Sequence, residues 1–139
     1  MSAFSDQYET YLVNGIFRGL GLSAPAALYL GLTSGIPNDN LPHLTELTGG
    51  NYARWALGPP SATAFIYHNV PTSGLVYLGS GIKPISSWTG GNQAVSGAFI
   101  AQSLAGADVI CYGSLTTPKL ITASDDLTFA SGAISFQIL

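Results

Sequence analysis

The sequence predicts an all-β fold: a β-sandwich of about 8–10 short antiparallel strands with one N-terminal α-helix at about residues 5–19. Three observations carry that reading. Short runs of apolar residues alternate with small polar ones, Gly and Pro punctuate these runs, and the βαβ alternation that would build a parallel sheet is missing. At 139 residues the chain matches the usual length of one domain, so residues 1–139 are expected to form a single structural unit with one core.

The helix rests on local signals. Ser5 or Asp6 can cap its start, and Asp6 and Glu9 fall where the helix dipole favours anions. Tyr8, Tyr11, Leu12, Ile16 and Phe17 recur at helical spacing and read as one apolar face, destined for the core or for a neighbouring subunit. Arg18 closes the last turn, and Gly19 and Gly21 offer a left-handed cap.

Alternation of period two then takes over. A strand is expected from Ala27 to Thr33, with Leu28, Leu30 and Leu32 on one face and Tyr29 and Gly31 on the other. The Pro- and Asn-rich stretch from Ser34 to Pro42 reads as a loop. Further strands are expected at Asn51–Leu57, Thr63–Val70, Leu75–Leu78, Val95–Ile100, Val109–Leu115, Lys119–Thr122, Leu127–Phe129 and Ala133–Leu139. The run Ile82–Ile85 is placed at a sheet edge, because Pro84 cannot donate to a ladder.

Composition narrows the function. Only 8% of residues are charged and the net charge is -3, while 47% are hydrophobic. An average domain carries about 25% charge, so much of this surface is expected to be covered by copies of the chain or by other proteins. The four basic residues, Arg18, Arg54, Lys83 and Lys119, are scattered and form no stripe for nucleic acid. No apolar run reaches the ~18 residues that cross a bilayer, and no membrane insertion is expected. Met1–Asn14 has neither the basic nor the apolar segment of a secretory signal.

Chemistry is sparse. His43 and His68 have no acidic or thiol neighbour at ligand spacing, so no metal site is expected. Asp125 and Asp126 read as a hairpin turn between the strands at Leu120 and Leu127. Cys111 lies between Ile110 and Tyr112 and reads as a buried, unreactive thiol. No nucleophile elbow, phosphate loop or dinucleotide fingerprint is present, and neither catalytic residues nor a cofactor are expected. Glu46 reads as a loop carboxylate anchored by hydrogen bonds or by Arg54, and Arg54 as pairing with Glu46 or binding a neighbouring carbonyl. Trp55 and Trp88 are candidates for an exposed contact, with Trp88, before Gly90-Gly91, the better of the two.

Three stretches then stand out together: Pro25-Ala-Ala-Leu-Tyr-Leu-Gly-Leu-Thr33, Glu46-Leu-Thr-Gly-Gly-Asn-Tyr-Ala-Arg54, and Tyr112-Gly-Ser-Leu-Thr-Thr-Pro-Lys119 followed by Leu127-Thr-Phe-Ala-Ser-Gly-Ala133. In this order, behind a short amphipathic helix, the chain resembles a family of small bacteriophage virion proteins commonly labelled tail fibre proteins. Residues 58–93 depart from the family's pattern. The resemblance implies a non-catalytic virion subunit of the tail fibre, tail tip or baseplate, built in the bacterial host cytoplasm. It also implies contacts with other virion proteins and with copies of itself, as a trimer. Gly49, Gly50, Tyr52, Arg54, Tyr112, Gly113, Pro118 and Lys119 would then specify fold and assembly. The rival functions are a capsid decoration protein and a module that binds host surface glycans.

Overall fold

The computed structural model describes residues 2–38, 45–61, 64–67 and 74–138. His43 and His68 lie outside the described residues, as do residues 39–42 of the expected loop and half of the expected strand at 63–70. The described residues form strands β1 (Ser2–Phe4), β2 (Leu28–Thr33), β3 (Trp55–Gly58), β4 (Phe65–Tyr67), β5 (Gly74–Leu78), β6 (Ile82–Ile85), β7 (Gln93–Ala101), β8 (Val109–Ile121), β9 (Leu127–Phe129) and β10 (Ser135–Ile138), with one helix, α1 (Asp6–Arg18). The fold is mostly β, as expected, and its named strand pairs are all antiparallel.

A five-stranded sheet in the order β1-β8-β7-β2-β3 is the main layer, accompanied by a three-stranded sheet, β10-β5-β4, and the pair β6-β9. The core lies where they meet: Leu28, Leu30 and Leu32 of β2, Val95 and Ile100 of β7 and Ile110 of β8 pack with Ile85 of β6, Leu127 of β9 and Trp88. This is a sandwich-like arrangement. Leu30 and Leu32 are 1% and 0% exposed, so the alternation in β2 selects the buried face as expected. Gly31 sits on the other face because a side chain there has no room. A Cβ at Gly31 would lie 2.1 Å from the ring of Phe99, its cross-strand partner.

Several expected elements shift. Residues 51–54 are turn and coil, and β3 starts only at Trp55. The strands expected at Val109–Leu115 and Lys119–Thr122 are one long strand, β8. It absorbs Pro118 in a bulge: Ser114 pairs with Gly97 and Lys119 with Val95, so five steps along β8 match two along β7. Strand β1 was not expected; its three residues pair with Cys111–Gly113, over a hundred positions away. Pro84 has no ladder partner in β6, where the register shifts between Ile82 and Ile85.

The helix begins and ends as its sequence dictates. The Ser5 hydroxyl accepts the Tyr8 backbone N–H at 3.3 Å and donates to the Val109 carbonyl, fastening the helix start to β8. Gly19, at φ 67°, forms the left-handed cap. The expected single apolar face is a correction. Tyr8, Tyr11 and Leu12 are half-buried, whereas Ile16 and Phe17 are 64% and 79% exposed. At 100° per residue Ile16 projects about 40° and Phe17 about 140° around from Leu12, so the apolar face turns away from the core toward the end of the helix, and no residue of α1 is fully buried.

Candidate functional site

The Gly-Gly-Asn-Tyr-Ala-Arg turn, residues 49–54, leads from the bridge between Glu46 and Thr33 into β3. Gly49 and Gly50 adopt φ 83° and 54°, a region that side-chain-bearing residues avoid. The reversal that follows lays Tyr52 and Arg54 against Glu46. Arg54 donates from Nε to Glu46 Oε1 and from Nη2 to Glu46 Oε2, both at 2.8 Å. This is the fork geometry that makes Arg–carboxylate pairs strong. Nη1 reaches the Ser103 carbonyl at 2.9 Å and Nη2 the Gly106 carbonyl at 2.8 Å, so the same guanidinium fastens the loop after β7. The guanidinium carbon stands 4.8 Å from the centre of the Phe99 ring.

Tyr52 completes the network. Its hydroxyl donates to Glu46 Oε1 at 2.8 Å and accepts the Leu32 backbone N–H at 3.0 Å. Burial is the main force holding the Tyr52 phenol neutral, well above the usual phenol range, and the nearby Glu46 charge adds to it. Burial opposes the Arg54 charge, but hydrogen bonding and attraction to Glu46 outweigh it and the guanidinium is held more firmly protonated than usual. An open cleft of about 590 Å³ borders the cluster. Every nitrogen of Arg54 and both oxygens of Glu46 are already engaged within the chain, so the cluster ties loops together and leaves little for a ligand.

Trp88 is the second correction. It is 1% exposed and therefore no surface contact. Its Nε1 donates to the Gly91 carbonyl at 2.8 Å, and its backbone exchanges 2.8 Å hydrogen bonds with Asp125 and Ser124. Gly50 and Gly90 make room for the ring: a Cβ on either would come within 2.8 Å or 2.2 Å of it. Asn51 tethers this neighbourhood by donating to the Ser86 and Ser87 carbonyls at 2.8 and 3.3 Å. The adjacent Asp125-Asp126 segment follows a turn but closes no hairpin, a further correction, because β8 pairs with β1 and β7 whereas β9 pairs with β6. Asp125 accepts from the Thr122 amide and hydroxyl, and Asp126 pairs with Lys83 at 2.7 Å, which keeps its carboxyl below the usual range.

Trp55 is 37% exposed, on the edge strand β3, and remains a surface aromatic. The Tyr112–Lys119 element does not join the Glu46–Tyr52–Arg54 cluster. Tyr112 packs beside Phe99, Gly113 pairs with Ala98 and Ser2, and Pro118 and Lys119 are exposed on the bulge. Cys111 is buried, and burial pushes its thiol up to about 12, away from any nucleophilic role at neutral pH. Among the described residues no group of three or more His, Cys, Asp or Glu gathers in a way that could hold a metal ion, and no helix is long and apolar enough to cross a membrane. Sequence reasoning missed Asn51, Gly90, Phe99 and the loop 103–106. The one usable signal was Gly90-Gly91 beside Trp88, which marked space for the ring and not a flexible tip.

The arrangement is thus a set of internal staples around a β core. The sequence matches the family described as Podophage GP4 fiber I protein gp80 over residues 3–137. The chain belongs to that family. Membership makes this fiber I protein gp80 relative a phage fibre structural protein associated with the virion, in keeping with the expected tail fibre resemblance. The match runs through residues 58–93 as well as through the three motif-bearing stretches. No curated protein matches the chain.

Proposed function

We propose that the chain is a non-catalytic subunit of the phage tail apparatus, a single structural domain built into a fibre at the tail tip or baseplate. It assembles there with copies of itself and with neighbouring virion proteins, after synthesis in the bacterial cytoplasm. The observation that carries this reading is the family match along nearly the whole chain. The Glu46–Tyr52–Arg54 cluster is compatible with it, since its polar groups are spent on loop anchoring. Burial of Trp88 removes the better of the two aromatics on which glycan recognition rested.

Cryo-EM of the intact particle tests the proposal. Density for this chain in fibres at the tail is the expected result. Density distributed over the capsid lattice would replace the tail role with shell decoration, and absence from the particle would end both.

A further inference from the structure

A cleft of about 380 Å³ lies between the first turns of α1, the segment at Ser23 and the loop that joins β7 to β8. Gln7, Tyr8, Tyr11, Ser23, Gln102 and Asp108 supply its polar and aromatic walls. The two tyrosine rings are fixed. Phe4, Tyr8 and Tyr11 form a ladder with successive ring centres 5.6 and 5.5 Å apart. The Tyr11 hydroxyl donates to the Ser23 carbonyl at 3.1 Å and accepts the Ser23 N–H at 2.7 Å. The loop is fixed as well: the Gln102 N–H donates to the Asp108 carbonyl at 3.1 Å, and Asp108 Oδ1 accepts the Ser103 hydroxyl at 2.6 Å.

What these bonds leave over sets the cleft apart from the Glu46–Arg54 cluster, where both partners are fully engaged. Among the described residues, Asp108 Oδ2 and the side-chain amides of Gln7 and Gln102 have no partner within the chain. We propose that this cleft receives the side chain of a lysine from a neighbouring virion protein. The inference names one contact of the assembly described under the proposed function and rests on that reading.

Charge, hydrogen bonding and shape each point to an ammonium group. Asp108 is the charged side chain in the walls, and no basic one lines them. Arg54 feels the Asp108 charge but is already neutralised by its fork with Glu46. Asp6 and Glu9 offset the positive end of the helix dipole at the first turn of α1. An ammonium carries three N–H donors, and Asp108 Oδ2 with the side-chain carbonyls of Gln7 and Gln102 makes three unspent acceptors. An arginine fits less well, because its fork needs both carboxylate oxygens and Ser103 holds one of them. The lysine stem is apolar and can lie on the faces of Tyr8 and Tyr11, which favour both methylenes and a cation. The chain itself is a poor source of this lysine. Lys83 is paired with Asp126, which leaves Lys119, and the net charge of -3 favours a more basic partner over a copy.

The test is titration of the purified full chain with Nα-acetyl-lysine methylamide, followed by NMR of the Tyr8 and Tyr11 rings and the Gln7 and Gln102 amides. The expected result is saturable binding that shifts these groups, weakens at least about tenfold in Asp108→Asn and weakens with added salt. Asparagine keeps an oxygen for Ser103, so the variant should fold, with its circular dichroism unchanged. The norleucine analogue, with an apolar stem and no charge, should not bind, and the arginine analogue should bind several-fold more weakly. In intact particles a carbodiimide, which condenses a paired carboxylate and amine to an amide and takes up the water released, should link Asp108 to a lysine of another virion protein. No binding, equal binding of the norleucine or arginine analogue, displacement by glucose, indifference to Asp108→Asn, or a link from Asp108 to Lys119 of another copy would each overturn the proposal. Failure of the fibre reading is separate, since it would show as absence of the chain from purified particles whatever the titration gives.

Discussion

The region around Trp88 and Arg54 and the region around α1 are built on opposite plans. In the first, a tryptophan and an arginine are nearly removed from water; the indole N–H is satisfied by Gly91 three residues on, and the guanidinium reaches carbonyls about fifty residues away at Ser103 and Gly106. In the second, a thirteen-residue helix has no fully buried residue and is held by its Ser5 cap and by two half-buried tyrosines. Isolated helices of that length are marginal in water. The first region is stable on contacts within one chain. The second leaves Val13, Ile16 and Phe17 largely in water.

Substitutions can break that contrast, and the largest effect is expected at Trp88. Trp88→Ala should lower stability by about 3–5 kcal/mol, since it empties a site roofed by Gly50 and Gly90; urea unfolding would measure it. Arg54→Ala should cost about 3 kcal/mol, because it leaves Glu46 and Tyr52 without their cation and frees the loop at Ser103 and Gly106. Hydrogen exchange should then show that loop opening before the β7–β8 ladder. Gly31→Ala should cost about 1–3 kcal/mol by displacing the Phe99 ring, seen as a lower midpoint in thermal melts.

Alkaline pH probes the buried side more gently. The Cys111 thiol rises from an ordinary value of 9.0 to about 12 in the fold, through burial. The unfolded chain therefore loses this proton first as pH rises. The contribution is fully present below about pH 9 and is lost as pH climbs toward 12. Cys111→Ala should flatten that part of the stability–pH curve; an unchanged slope would assign the effect to other groups. The smallest change is expected on the helix. Phe17→Ser should alter the stability of the single chain by no more than about 0.5 kcal/mol, because the side chain is 79% exposed.

What could be read from the sequence divides along similar lines. The bounds of α1 were legible because Ser5 and Gly19 act on their own turns. The buried face of β2 was legible because Leu28, Leu30 and Leu32 alternate. For Arg54 the sequence offered pairing with Glu46 or a bond to a neighbouring carbonyl, since Glu46 and Arg54 flank a Gly-Gly turn, and the guanidinium makes both contacts. Trp88 was misread because its burial depends on Gly50, which lies in a turn distant in sequence, and no local pattern reports that approach. Ile16 and Phe17 were placed with Tyr8 and Tyr11 because helical spacing alone does not separate two apolar sides of a short helix. Strand β1 was missed because its pairing is almost entirely non-local.

The bulge in β8 has a consequence for how this chain tolerates changes in length. Elsewhere in the main sheet, losing one residue would turn every following side chain to the wrong face. Between Ser114 and Lys119 the strand already runs three residues longer than its β7 partner. Those surplus residues act as a slack coupling between two separately phased halves, one ending with Cys111 buried and the other with Ile121 buried. A residue gained or lost there would leave both halves in phase, which makes this part of the strand the natural place for an inserted tag or label.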